Sequence, residues 1–326
     1  MLQHIAIALV IFLSYIALAS GDGESDHQDA VKTVLIEDGD LFKCIDINQQ
    51  PTLKHPLLKN HKVQMKPSSY PYELDNRSLS VATNSSAQLP AISCPRGTIP
   101  MLHGSKGYTK KFGGFRRRKG RQHKGPHGEL AIIKTIDDFY GSRVSINVHE
   151  PKVKEKTEDK SASWVLLLNS QNVSHREAVG AGSIVWPSFS GDNFARFHIT
   201  WDLKTKDWWV ALGGTPIGYW PSSIFSHLKD KATEAGWGGH VHGPTVQSNF
   251  PQMGSGHFGW EGFGKAAYVS NIKIIDENNK YYTPNNDKTF ARSSKPSCYP
   301  IDNFGQDEGG MHLYYGGPGG CNNIKS

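Results

Sequence analysis

Residues 194–201, FARFHITW, and residues 207–214, DWWVALGG, decide the fold of this chain, because apolar and polar side chains alternate with a period of two in both. Such alternation is typical of a β-strand with one buried face. Only the six residues 202–207 join Trp201 to Trp208, which is short enough for a hairpin. Alternation recurs at 144–148 and 268–274 between clusters of Gly, Pro, Asn and Asp. The sequence therefore predicts an all-β fold, an antiparallel β-sandwich.

One helix is expected within this sandwich. Pro221 and Ser222 offer a helix start, and the apolar side chains that follow fall at helical spacing before Gly236. These apolar residues are Ile224, Phe225, Leu228 and Ala232.

The N-terminus carries an apolar run from Ile5 to Ala19, which is too short to span a bilayer comfortably. Ala17-Leu18-Ala19 supplies a small-x-small cleavage pattern, so residues 1–19 are predicted to be a signal peptide; a membrane anchor is the alternative. No later stretch is apolar for 18 residues, and we expect a secreted, extracellular protein without a membrane span.

Four cysteines and three sequons agree with export. An even number of cysteines in a secreted chain predicts two disulfides, and the two distant pairs favour Cys44–Cys94 and Cys298–Cys321 over free thiols. The N-glycosylation sequons begin at Asn76, Asn84 and Asn172.

A basic linker, residues 106–128, divides the chain into a proregion at 20–105 and a domain at 129–326. Lys106 to Lys124 holds nine Lys and Arg and no acid, while the whole chain has a net charge of only +6, so the remainder is net acidic. Three uses remain open for the linker: proteolytic processing at 116–119, a plain solvated connection, or a polyanion grip. Nucleic acid is not an expected partner of an exported chain.

His240 and His242, in EAGWGGHVHGP, share one face of any strand they form. Two imidazoles could bind a metal, but no third ligand stands at a recognisable spacing, and the chain has no HExxH or CxxC motif. Ser255 lacks the G-x-S-x-G context of a nucleophile. Glu261, set among apolar and glycine residues, is a weak candidate for a catalytic acid. The sequence predicts no metal and no cofactor.

Aromatic residues crowd the second half of the chain. Trp209, Tyr219, Trp220 and Trp237 could line a groove for proline-rich peptide or cell-wall glycan, since polyproline II segments dock on aromatic surfaces. The alternative is that these rings form the core of the sandwich.

Several long segments resemble one family. Residues 38–71, DGDLFKCIDINQQPTLKHPLLKNHKVQMKPSSYP, and 93–100, SCPRGTIP, are similar to the activation peptide of the plant neprosin family. YGSRVSINVHEPKV, ALGGTPIGYWPSSIFSHLKD, QMGSGHFGWEGFGKAAYVSNIKIID and CYP…LYYGGPGGC resemble the neprosin domain, in order. The resemblance implies a secreted, plant-type protein with a proregion ahead of a β-sandwich. It also implies a glutamic peptidase that cleaves at proline with two glutamates, one as base and one as acid.

Both glutamate positions depart from that pattern. The glutamate that follows Trp-Gly-Gly in the family corresponds to His240 here, and the first glutamate corresponds to Gly180 in VGAGSIVWP. Glu177 is an odd number of residues from Gly180, so a strand would point it to the opposite face. Glu234 is six residues before His240 and is expected on the helix.

The link 202–207 is also much shorter than in the family, so the sandwich is expected to lack strands and to expose an edge. A faulty gene model would give the same short link.

The sequence thus predicts a secreted neprosin-domain protein without peptidase activity that binds proline-rich peptide or glycan. Two rivals are an active proline-specific peptidase that uses His240 with Glu261, and a metal-dependent enzyme centred on His240 and His242.

Overall fold

The computed structural model describes residues 30–35, 41–72, 93–104, 127–154, 158–171, 176–185, 198–212, 215–308 and 310–321. The predicted signal peptide, the three sequons and nearly all of the basic linker lie outside the described residues.

The proregion contains a small antiparallel sheet of three strands in the order β1-β2-β3. The strands are β1 Lys32–Leu35, β2 Leu41–Asp46 and β3 Thr98–Gly104. The disulfide Cys44–Cys94 links β2 to the segment before β3, as predicted. Cys44 and the adjacent Ile45 are both buried. Because this sheet is small, the cross-link contributes much of its stability.

The other thirteen strands found among the described residues form two antiparallel sheets. The five-stranded sheet has the order β14-β4-β11-β6-β7, with β4 His127–Phe139, β6 Lys160–Asn169, β7 Glu177–Val185, β11 Ala232–Gly243 and β14 Thr289–Ser293. The eight-stranded sheet has the order β10-β9-β8-β5-β12-β16-β15, and β13 pairs with β12. Its strands are β5 Gly141–Ile146, β8 His198–Trp201, β9 Trp208–Leu212, β10 Thr215–Trp220, β12 Ala267–Ile275, β13 Tyr281–Tyr282, β15 Ile301–Asp307 and β16 Gly310–Tyr315. The predicted all-β, antiparallel fold is confirmed.

The core lies between the two large sheets. Trp237 and Tyr315 are fully buried there among aliphatic side chains from both sheets. Each carries a polar atom, and each finds a partner on the other sheet: the Trp237 indole donates to Ser142 Oγ at 3.0 Å, and the Tyr315 hydroxyl donates to Ser163 Oγ at 2.6 Å. These two bonds fix how the sheets align without leaving a buried donor unpaired.

The predicted helix at 221–235 is wrong. Ser222–Ile224 forms a single 3₁₀ turn, and Ala232 already begins β11. The backbone amides of residues 226, 227 and 228 donate to the carboxylate of Glu177 on β7. A helix would direct those amides to its own carbonyls, so a contact with a distant strand overrides the local apolar spacing.

The hairpin predicted from the six-residue link is confirmed, because β8 and β9 pair antiparallel from His198↔Ala211 to Trp201↔Trp208. The second disulfide, Cys298–Cys321, also forms as predicted. Within the described residues, no helix has the length and apolar character needed to cross a membrane.

Candidate functional site

Strand β11 is the centre of the five-stranded sheet and presents different residues on its two faces. Ala235, Trp237 and Val241 are completely buried in the core. The alternate residues His240 and His242 therefore lie on the face that points away from the eight-stranded sheet, called the outer face below. The register of β11 confirms the prediction that both imidazoles share one face of a strand.

Gly180 also lies on the outer face. Its neighbour Val179 belongs to the core, and the register runs from Gly180 on β7 to Leu166 on β6 to Gly236 on β11. Gly180 and His240 are thus two strands and four residues apart, which corresponds to roughly 16 Å on a flat sheet.

Trp164 lies on the outer face between these two positions, and its ring together with the glycines beside it is called the floor below. It pairs with Gly182 on one side and with Gly238 on the other. A Cβ on Gly182 would lie 2.1 Å from the Ser163 carbonyl oxygen and 2.6 Å from Trp164 Cα. The strands approach each other so closely at Gly182 that no side chain fits at that position. Glycine therefore borders the Trp164 ring. Trp164 was not predicted as a site residue, because only the strand register reveals its place.

The imidazole of His240 is held against this floor. It stacks on the Trp164 ring with centroids 5.0 Å apart and planes 10° apart, and it is tilted against His242 at 5.7 Å. On the other side is Gly128, where a Cβ would come within 2.8 Å of His240 Nε2. Aromatic rings and a glycine therefore enclose the imidazole and exclude water from most of it.

This environment makes His240 a poor proton acceptor. Burial, assisted by the nearby charges of His242 and Lys160, lowers the pKa of His240 from its usual 6.5 to about 4. Burial likewise lowers the pKa of His242, and the positive Lys160 adds to the effect. His240 is therefore neutral over the neutral and mildly acidic range.

Neither of the two glutamates on β7 and β11 stands beside both Gly180 and His240. Glu177 lies on the opposite side of β7, as predicted, and accepts hydrogen bonds of 2.7, 2.8 and 2.8 Å from three backbone amides. Burial alone would raise the pKa of Glu177, but these bonds outweigh burial and lower it. The carboxylate is committed to holding the 226–228 segment.

Glu234 is on β11 rather than on a helix, and it shares the outer face with His240. It forms an ion pair of 2.6 Å with Lys134 on the neighbouring strand. Six residues separate it from His240, which is roughly 20 Å along an extended strand. The described contacts of the Glu234 carboxylate are with Lys134 and Ser170 and not with His240.

Glu261 is part of a turn and not of the outer face. Its carboxylate contacts His257 Nδ1 at 3.0 Å and accepts from the Phe258 amide at 2.9 Å, which closes the 3₁₀ turn Gly259–Glu261. The hydrogen bond with His257 is the largest of the effects that lower the pKa of Glu261. The described contacts do not bring Glu261 to His240.

The described part of the chain contains no group of three or more His, Cys, Asp and Glu side chains placed to hold a metal ion. His240 and His242 are close to each other, yet their surroundings are Trp164, Gly128 and the positive Lys160. The positive charge of Lys160 acts against a cation there, whereas the negative charge of Asp159 near His242 acts in the opposite direction.

The four predicted groove aromatics do not line an open groove. Trp237 and Trp220 are core residues, 0% and 5% exposed. Trp209 is 3% exposed and stacks on Tyr219 at 4.5 Å. The Tyr219 hydroxyl in turn contacts His61 of the proregion at 2.6 Å. The sandwich core and the contact with the proregion account for these rings.

Two family models match the chain. The model described as Neprosin matches residues 199–318, and the model described as Neprosin activation peptide matches residues 33–127. The two matches together cover more than half of the chain. His240 and Glu261 lie within the first match, whereas Gly180 lies between the two.

Proposed function

The chain belongs to the neprosin family, and we propose that it is a secreted member that does not hydrolyse peptides and instead binds extended, proline-rich peptide on its outer face. One observation carries the proposal: the two positions that resemble the family's catalytic glutamates share the outer face and hold Gly180 and His240.

The two-glutamate mechanism requires a base that deprotonates water and a protonated acid that supplies the leaving group with a proton. Gly180 supplies neither group. His240 is neutral above pH about 4, so it is a weak base in acidic solution. Among the described residues, the groups found against its imidazole are Trp164, His242 and Gly128, none of which is a carboxylic acid. Loss of both carboxylates therefore removes the chemistry while the sheet itself persists.

The protein can bind a peptide without being able to cleave it, because contact with the floor requires no ionisable group. Trp164 is half-buried on the outer face, with the imidazole of His240 stacked on its ring and with Gly182 and Gly238 beside it on the neighbouring strands. Leu166, on the same strand as Trp164, and Leu130, on β4, extend the apolar surface. A polyproline II segment packs its rings on such a surface with little loss of conformational entropy.

Glycan is the second candidate ligand, and another set of rings favours it. Trp260 is 61% exposed and stacks on Phe258 at 4.2 Å, and Phe263 nearby is 78% exposed. Exposed aromatic clusters of this kind mark interaction sites. This cluster lies on the 257–263 loop rather than on the outer face.

Isothermal titration separates the two ligands. We expect proline-rich peptide to give heat with the wild type and with Trp260→Ala, but not with Trp164→Ala; Trp164→Phe should retain part of it. Oligosaccharide binding that Trp260→Ala abolishes would favour the glycan site. Absence of heat with either class would reject the binding proposal.

Catalysis is tested separately, with mass spectrometry of proline-containing peptides after incubation at acidic pH. We expect intact peptide from the full chain and from chain cut in the linker. Cleavage that His240→Ala abolishes would contradict the proposal in favour of a peptidase based on His240. Export is tested in a eukaryotic secretion host, where the medium should contain protein whose mass falls after N-glycan removal.

A further inference from the structure

Residues 61–72 of the proregion, called the strap below, lie along one end of the eight-stranded sheet. His61 Nε2 contacts the hydroxyl of Tyr219 on β10 at 2.6 Å, and the Gln64 amide donates to the same hydroxyl at 2.9 Å. At the other end, Tyr72 exchanges backbone hydrogen bonds with Asn279 and Tyr281 around the turn that joins β12 to β13. The strap therefore reaches from the edge strand to the middle of the sheet.

Two buried carboxylates hold the middle of the strap. Gln64 Nε2 donates to Asp207 Oδ2 at 2.6 Å. Ser68 donates both its amide and its hydroxyl to Asp202, the hydroxyl at 2.5 Å. Asp202 and Asp207 are only 1% and 3% exposed, and they flank the short link between β8 and β9. Removal of the strap would take hydrogen-bond donors from both charges, which is costly in a buried site.

Apolar contacts add to these bonds. Leu58, just before the strap, is 6% exposed, and its 3₁₀ turn Pro56–Leu58 packs against the turn Ser222–Ile224. The strap thus closes the end of the sheet where the shortened hairpin turns.

Neither disulfide joins the two sides of the basic linker, so only noncovalent contacts would hold the strap to the sheet once the linker is cut. Cys44–Cys94 lies wholly before the basic linker and Cys298–Cys321 wholly after it. We propose that residues 41–72 remain bound after cleavage of the linker. The eight-stranded sheet is thus an interaction surface for the chain's own N-terminal piece, a permanent second subunit rather than a peptide that leaves. This proposal does not depend on whether the outer face catalyses or binds anything.

The test uses the full chain with a recognition sequence for a site-specific protease in place of residues 116–119. After cleavage, size-exclusion chromatography and native mass spectrometry at neutral pH should show both pieces in one complex. Gln64→Ala and Ser68→Ala each remove a bond to a buried carboxylate, which should weaken association by roughly ten- to hundredfold each. The cut double variant should therefore separate at concentrations where the wild type stays together.

Met65→Ala is the matched control, because Met65 lies between the two contact residues and is 73% exposed. It should leave the complex intact. Circular dichroism of the uncut variants shows whether each still folds. Separation of the cut wild-type pieces would overturn the proposal, and so would a folded double variant that stays associated as tightly as the wild type.

Discussion

The enclosure of His240 predicts how the stability of the protein changes with pH. Its pKa is about 4 in the folded protein, against 6.5 when the imidazole is in water. The unfolded chain therefore binds a proton at this residue more readily than the folded chain. Stability from this residue is complete above pH 6.5 and is lost as pH falls towards 4.

The size of the effect follows from the same values. Each tenfold difference in proton affinity is worth about 1.4 kcal/mol, so the shift from 6.5 to about 4 corresponds to about 3 kcal/mol. Burial against Trp164 is the main cause, and the positive Lys160 and His242 act in the same direction. Replacement of His240 by Gln removes the titrating group but retains a polar side chain.

The assay is urea unfolding of the wild type and His240→Gln at several pH values between 7 and 4, followed by tryptophan fluorescence. Between these limits, the wild type should lose about 3 kcal/mol more than the variant, with unchanged m-values. Comparing slopes cancels any constant cost of the substitution. Equal slopes would refute the reasoning, and so would an imidazole NMR signal for His240 that titrates near 6.5.

Three further predictions concern the fold around the site. Gly182→Ala should lower the free energy of unfolding in urea by about 1–3 kcal/mol, because the added Cβ meets backbone atoms of the next strand. Gly180→Ala should lower it less, because the nearest atoms to its Cβ are 3.0 and 3.1 Å away. Equal losses for the two variants would contradict the register. Glu177→Ala should destabilise the fold by about 2 kcal/mol through lost bonds to backbone amides. Because hydrogen bonding lowers the pKa of Glu177, this contribution should be present at neutral pH and lost in acid, and a difference from wild type that persists at pH 2 would count against it. Removal of the Cys298–Cys321 bridge by double serine substitution should lower stability by about 3 kcal/mol, as measured by calorimetry without reductant.

Local patterns predicted the parts of the fold that depend on neighbours in sequence. The alternation in 208–212 gave β9, and the cysteine spacing gave both disulfides. The 221–235 segment was predicted wrongly as a helix because Glu177, some fifty residues earlier, captures its amides. Apolar spacing carries no information about a carboxylate that arrives from another strand.

The candidate site shows the same division. The sequence identified Gly180 and His240 through the family resemblance, but it could not show that Trp164 lies between them. That fact depends on the pairing of three strands. The four aromatic residues predicted to line a groove lie instead in the core or against the proregion, because composition alone cannot distinguish rings in a core from rings on a surface.

The glycines of the outer face differ in how strictly the fold requires them. Gly182 and Gly238 have backbone atoms within 2.1 and 2.3 Å of a Cβ position, so the sheet itself demands glycine there. Gly180 is less restricted, because its neighbours would have to yield by only a few tenths of an ångström. Lack of space therefore does not force the absence of a carboxylate at Gly180. Backbone packing maintains the surface around Trp164, and for that reason this surface persists whether or not the protein retains a pair of acidic groups.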